Sequence, residues 1–243
     1  MTFSIVARCS STGLLGVAVA TAVPAVGSMC PFTRANVGAV STQSWVNPYL
    51  ALGALDAIAG GMSARAALDT VLAGDSAREL RQIGLVNAAG EAAAFTGADC
   101  TPWCGQETGE GFAVQGNMLT GPEVIAAMAA AFRTSIGAPL DERLMRAMEG
   151  GDGAGGDRRG RQSASLRLQG PEDYPALDLR VDEHPHPVEE LRRVLTIARL
   201  QLMPFVNGMP KRDAPAGPAS ASVTSMLALS PPQRPGGGGS GPV

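Results

Sequence analysis

Hydrophobic and polar positions in this chain follow two periods that alternate along its length. Thr2-Phe-Ser-Ile-Val-Ala-Arg8 and residues 14–23 read as strands joined by the turn signal Ser10-Ser-Thr-Gly13. Residues 37–43 predict a third strand. After Asn47-Pro48 the period lengthens: Leu50, Leu52, Leu55 and Ile58 form a helical stripe that stops at Gly60-Gly61. Ser63 then caps a second helix through about Leu72. Residues 81–86 and 92–96 flank Asn87-Ala-Ala-Gly90 as a hairpin, and residues 112–117 predict another strand. Helices follow over about 122–133 and 140–148, the second ended by the glycine-rich stretch 150–156. Strands at 163–168 and 177–181 precede an amphipathic helix from Val188 to about Leu202. Periodicity alone gives a largely antiparallel α+β protein. Two sheets packed face to face with helices outside are one way to cover both sheet faces.

The texture changes at residue 204. The last 40 residues hold 8 of the 18 prolines and 7 of the 31 glycines, too little apolar surface to offset chain entropy. The chain is therefore read as one domain over 1–203 and a disordered Pro/Gly/Ala/Ser-rich tail over 204–243.

Composition narrows the function classes. The 243 residues are 45% hydrophobic but only 4% aromatic, so the core is built from Ala, Val, Leu and Met. A net charge of −3 carries no basic bias toward nucleic acid. No apolar run approaches the roughly 20 residues of a spanning helix. The apolar stretch 14–26 is interrupted by Gly16 and Pro24 and reads as a buried strand, not a signal peptide. These features predict a soluble cytoplasmic protein with neither a nucleic-acid nor a membrane partner. Cys9, Cys30, Cys100 and Cys104 read as reduced thiols, and no second cysteine pair or nearby histidine completes a zinc set. No metal and no cofactor are expected.

Candidate chemistry begins at Thr2. Loss of Met1 leaves a threonine that carries a hydroxyl and, on the same residue, an α-amine of pKa about 7.7–8.0. Such an amine takes the hydroxyl proton directly or through one water. Small residues are common at position two, so Thr2 alone is a weak signal. His184 and His186 read as part of a strand-to-helix turn, and the stretch 150–156 lacks the Gly-Lys-Ser/Thr of a phosphate loop. Two polar clusters stand out. Gln115-Gly-Asn117 ends an otherwise apolar strand, where amides present N–H donors to an oxyanion. Gly156-Asp-Arg-Arg-Gly-Arg-Gln-Ser163 offers forked guanidinium donors for a carboxylate, with Asp157 able to orient one of them. Gln43 and Asn47 sit at a strand-to-helix junction, a common place for binding groups.

Together these pieces resemble a known family, DUF1028, grouped with the Ntn (N-terminal nucleophile) hydrolase superfamily. The resemblance is carried by Thr2-Phe-Ser-Ile-Val-Ala-Arg8, Gly16-Val-Ala-Val19, Val37-Gly-Ala-Val40, Thr42-Gln43 and Asn47-Pro48. It continues through Thr96-Gly97, Val114-Gln-Gly-Asn117, Gly155-Gly-Asp157, Arg159-Gly160, Gln162-Ser-Ala164, Leu179-Arg-Val-Asp182 and His184-Pro185. It covers about residues 2–200 and leaves the tail outside. The resemblance implies a four-layer αββα sandwich of two mostly antiparallel sheets with helices on both outer faces. It also implies that Thr2 is the nucleophile, freed by loss of Met1 without propeptide cleavage. The expected reaction is hydrolysis of a C–N amide bond in a small metabolite or short peptide. Thr2 and Asn117 are the expected catalytic residues, and Gln43, Asn47, Gln115, Asp157, Arg159, Gln162 and Ser163 the expected substrate-binding ones. Proteasome-type relatives place a lysine on an early strand, whereas no lysine occurs here before Lys211. Arg8, Arg34 or a helix dipole is left to tune the amine, or it stays at its reference value. Two rivals stay open: a non-catalytic small-molecule binding protein on the same scaffold, and a hydrolase that uses Cys9 or Cys30. A homo-oligomer also stays open.

Overall fold

Alternation along one strand sets the architecture. In β1 (Thr2–Arg8), Phe3, Ile5 and Ala7 enter a helix-covered core, while Val6 enters a separate cluster between two sheets. The computed structural model describes residues 2–217 and 220–242; the expected removal of Met1 lies outside the described residues. β1 pairs antiparallel with β2 (Leu15–Thr21) on one side. The second sheet begins with β3 (Pro31–Arg34) and β4 (Gly38–Ser44), continued by β5 (Arg81–Asn87) and β6 (Ala92–Thr96), in the order β3-β4-β5-β6. The first sheet is completed by β7 (Gly105–Gly109), β8 (Phe112–Asn117), β9 (Ser163–Gln169) and β10 (Pro175–Val181), in the order β10-β9-β2-β1-β8-β7. Each strand pairing is antiparallel.

Helices form the outer layers. α1 (Pro48–Ala59) and α2 (Ala64–Ala73) bury Leu50, Ala54, Leu55 and Leu68 against the four-stranded sheet. Asn47 caps α1 by accepting the Tyr49 N–H, and Ser63 caps α2 by accepting the Ala66 N–H. On the other face, α3 (Glu123–Thr134), α4 (Leu140–Gly153) and α5 (Pro187–Asn207) bury Met128, Phe132, Leu144, Met148 and Leu191 over the six-stranded sheet. Four layers result, αββα, as expected.

Two local expectations need correction. β3 and β7 carry no strand signal in the sequence: β3 is four residues opening on proline, and β7 (Gln106, Glu107, Thr108) alternates without an apolar face. Both are edge strands, paired on one side only, so their polarity is tolerated. α4 does not stop at Met148 but runs on to Gly153. A Cβ on Gly151 would lie 2.7 Å from Met128 Cγ and 3.2 Å from Phe3 Cδ2, so the glycine permits close approach to α3 and β1 without ending the helix. α5 carries Pro204 within it and reaches Asn207. A further helix, α6 (Ala221–Ala228), packs on α5. Its Val223, Thr224 and Leu227 share an apolar groove with Phe205 and Met209, a pattern hidden by the surrounding proline and glycine.

Candidate functional site

The seam between the sheets is chemically graded. At one end Val6, Leu15, Val17, Ala39, Val86, Ala94 and Ala113 form a closed apolar cluster. At the other, strand register aligns Ser163, Thr21, Thr2 and Asn117 in a row across the first sheet. Facing them, register aligns Gln43, Gln82 and Thr96 across the second. Hydrogen bonds tie the rows together. Gln43 Nε2 donates to the Thr2 carbonyl at 3.0 Å and to Gln82 Oε1 at 2.8 Å, while Ser4 Oγ donates to Gln43 Oε1 at 2.7 Å. Asn117 Nδ2 donates to the same Gln82 Oε1 at 2.9 Å. Gln82 Nε2 in turn faces the Gly116 and Gly105 carbonyls and Thr96 Oγ1, which fixes which end of its amide is oxygen. The direction of every amide in the chain of bonds follows from that one orientation.

Thr2 stands at this polar mouth, 6% exposed, with its hydroxyl donating to Thr21 Oγ1 at 3.2 Å. Three loops are stitched together above it. Met118 N–H donates to the Thr101 carbonyl, Leu119 N–H to Trp103, Thr120 N–H to Gly156 and Arg158 N–H to Met118. Asp157 joins the third loop to β2's end: its Oδ2 accepts the Ala22 N–H at 3.0 Å and the Arg159 guanidinium at 3.3 Å, and its Oδ1 accepts the Arg159 N–H at 2.8 Å.

Between these loops and the second sheet lies a cleft of about 460 Å³. Val23, Trp45, Leu80 and Met118 give it apolar walls; Asn117, Arg159 and Asp99 give it polar ones. Ser44 and Met118, two of the four non-glycine residues at positive φ among those described, both line it. Left-handed backbone costs energy that the surrounding structure must hold, and it gathers at functional surfaces.

Of the expected residues, the cleft lining includes Asn117 and Arg159, with Asp157 directly behind Arg159. Gln162 reaches the region through its backbone, donating to the Thr21 carbonyl at 2.9 Å. Four expected substrate contacts lie elsewhere. Gln43 is fully buried behind Thr2, and its amide is occupied by Ser4, Thr2 and Gln82. Gln115 is buried deeper in the seam with Nε2 on the Ser41 carbonyl, in space kept open by Gly84, where a Cβ would lie 2.7 Å from Gln115 Oε1. Ser163 is buried with its Oγ between Val26 N and the Val23 carbonyl. Asn47 caps α1 and donates to Asp75, whose carboxyl is held down at about 2 by Arg81 and Asn47. These side chains shape the site from behind. Sequence reasoning missed Gln82, Thr21, Asp99 and Trp45. Gln82 had a signal: it is the one amide on the inward positions Gln82, Gly84 and Val86 of β5.

The rival nucleophiles fare poorly. Burial pushes the Cys30 thiol up to about 12. At Cys9 burial is outweighed by hydrogen bonds from Ser11 and Thr12, and the thiol falls to about 7. That thiol lies just past the opposite end of β1, roughly 20 Å from Thr2 at the usual strand rise. Of the suggested tuners, Arg8 ends the strand that Thr2 opens, and Arg34 pairs with Asp56. Among the described residues no cluster of three or more His, Cys, Asp or Glu could hold a metal, and no helix is long and apolar enough to cross a membrane.

Two antiparallel sheets between helical layers, with the first strand opening on a threonine at the polar mouth of their seam, define a four-layer αββα sandwich protein. Within that class the chain belongs to DUF1028, a family of unknown function, whose model matches residues 2–191. The crystal structure of a Silicibacter pomeroyi protein assigned to the same family model superposes with a TM-score of 0.82 at 29% identity, covering 89% of this chain and 94% of that one. Eukaryotic HslV from Trypanosoma brucei gives a TM-score of 0.47 at 12% identity over 69% of this chain and 98% of its own. Anbu (ancestral beta-subunit) from Yersinia bercovieri gives 0.38 at 13% identity over 86% and 98%. No curated protein matches the chain.

Proposed function

We propose that the protein is an N-terminal-threonine amidohydrolase that cleaves a C–N amide bond of a small metabolite or short peptide. The observation that carries this reading is the Thr2 hydroxyl at the polar mouth of the seam, one strand from Asn117 and beside the cleft that Asn117 lines. Thr2 Oγ attacks the amide carbonyl as its proton passes to the free α-amine. The carbonyl oxygen gathers negative charge, and Asn117, its amide aimed by Gln82, carries a second N–H for it. The C–N bond then breaks, the amine's proton goes to the departing nitrogen, and water hydrolyses the Thr2 ester. Thr21 holds the hydroxyl before attack. No cofactor enters.

The test begins with the mass of the purified amino terminus, since a retained Met1 leaves no threonine amine. Wild type and Thr2→Ala are then compared on a panel of small amides, with circular dichroism to confirm folding. A loss of at least about 10³-fold in turnover is expected. Equal turnover in both would remove the mechanism. Burial of Thr2 to 6% exposure favours a second reading, a binding protein on this scaffold. Retained Met1 together with ligand affinity unchanged in Thr2→Ala would select it.

A further inference from the structure

Resting on the hydrolytic reading, we infer that the substrate is a small amide bearing one carboxylate and one apolar group, with Arg159 as the carboxylate's partner. Three features of the cleft converge on this class.

The first is how Arg159 is held. Its side chain is 38% exposed on the cleft wall, while Asp157, 2% exposed, grips both its backbone N–H and its guanidinium from behind. Asp157 is itself anchored on the Ala22 N–H, next to the threonine that bonds Thr2. A loop arginine left to solvent would not need a buried carboxylate to fix both its backbone and its head. Guanidinium planes match carboxylates in a forked geometry, so an oriented arginine selects a planar anion.

The second is the distribution of the rest of the lining. Trp45, Leu80 and Met118 supply apolar surface on the second-sheet side and at the turn after β8. Trp45, 70% exposed, gives this wall a broad apolar face open to a ligand. The third is size and charge balance. A volume of about 460 Å³ lies within the range of small-ligand pockets, roughly 300–1,000 Å³, and suits a molecule of dipeptide size. Asp99 on another wall repels a second anionic group, so a monocarboxylate is favoured over a dicarboxylate.

Three probes that differ in where the carboxylate sits test the class. N-acetyl-L-leucine carries its carboxylate on the leaving amine, N-succinyl-L-leucinamide carries it on the acyl side, and N-acetyl-L-leucinamide has none. Hydrolysis is measured with wild type and Arg159→Gln, and binding by calorimetry with Thr2→Ala. One of the two carboxylates is expected to be preferred over the neutral amide by about 10–100-fold in kcat/KM, the worth of one charge-assisted contact. Arg159→Gln should collapse that ratio toward one, and Arg159→Lys should restore part of it. Preference intact in Arg159→Gln, or no preference in either assay, overturns the inference. Binding of a carboxylate by Thr2→Ala with no turnover in wild type would sustain the ligand class while removing the hydrolytic reading.

Discussion

At Val6, Val17, Ala39, Val86 and Ala113 the seam between the sheets is filled by branched and small apolar side chains. Four residues along each of the same strands stand Thr2, Thr21, Gln43, Gln82 and Asn117. The backbone is the same at both ends; the energetics differ. At the apolar end, stability comes from area removed from water and from close packing, which is non-directional and tolerates changes that keep volume. At the polar end each buried amide must find a partner of the right sign in the right direction, or leave a group stranded at low dielectric. One end therefore holds the sheets together. The other holds a geometry.

The largest break in that comparison comes from Gln82→Leu. It removes the acceptor shared by Gln43 and Asn117 and strands two buried N–H groups, costing about 2–6 kcal/mol at about 1–3 each. Because Asn117 then loses its orientation, kcat on any amide the wild type turns over should fall by about 10²-fold with KM little changed. A stability-matched control comes from the opposite end. Leu15→Ala opens a cavity in the apolar cluster and should cost about 2–5 kcal/mol in urea unfolding while leaving kcat and KM as in wild type. Equal kcat in the two variants, assayed well below either unfolding transition, would mean that the polar end is scaffold and nothing more.

The same contrast explains what the sequence disclosed. β1 is legible because Thr2, Ser4 and Val6 alternate with Phe3, Ile5 and Ala7, and both cores read that alternation. The cap at Ser63 and the Asn87 turn are legible because their chemistry is local. Thr2 and Asn117 each carry a signal, but nothing local pairs them; their adjacency is a property of strand register. The role of Gln82 is hidden because its partners, 14 to 39 residues away, come from four other strands of the two sheets. Gln43 and Gln115 read as substrate contacts because sequence shows that an amide is present, not which face of which sheet it enters. Gly151 looks like a helix stop because its packing partners, Met128 and Phe3, come from two other elements.

The finest distinction between seam and periphery is made by pH. In the aligned rows at the seam's polar end, Ser163, Thr21, Thr2 and Asn117 facing Gln43, Gln82 and Thr96, none of the residues carries a carboxylate, whereas the helix layers hold strongly perturbed ones. Arg192, with Arg146 and Arg199, lowers the Glu142 carboxyl from 4.5 to about 2, tying α4 to α5. On the other layer Arg81 and Asn47 lower Asp75 from 3.8 to about 2. Both folded values lie below the unfolded ones, so their stabilisation is complete above about pH 4.5 and drains away as pH falls toward 2. Glu142 contributes at most about 2–3 kcal/mol of it. Urea midpoints should therefore be flat from pH 7 to 5 and decline below 4.5, and Glu142→Gln should flatten part of that decline. The proposed hydrolysis answers to a different group. A free α-amine accepts the Thr2 proton only when it is itself unprotonated, so activity should rise through about pH 7.7–8.0 and vanish reversibly by pH 6. Between pH 6 and 5 the protein is then folded and silent. Activity that persists down to the onset of acid unfolding would rule out an amine as the base and return the polar end of the seam to a binding role.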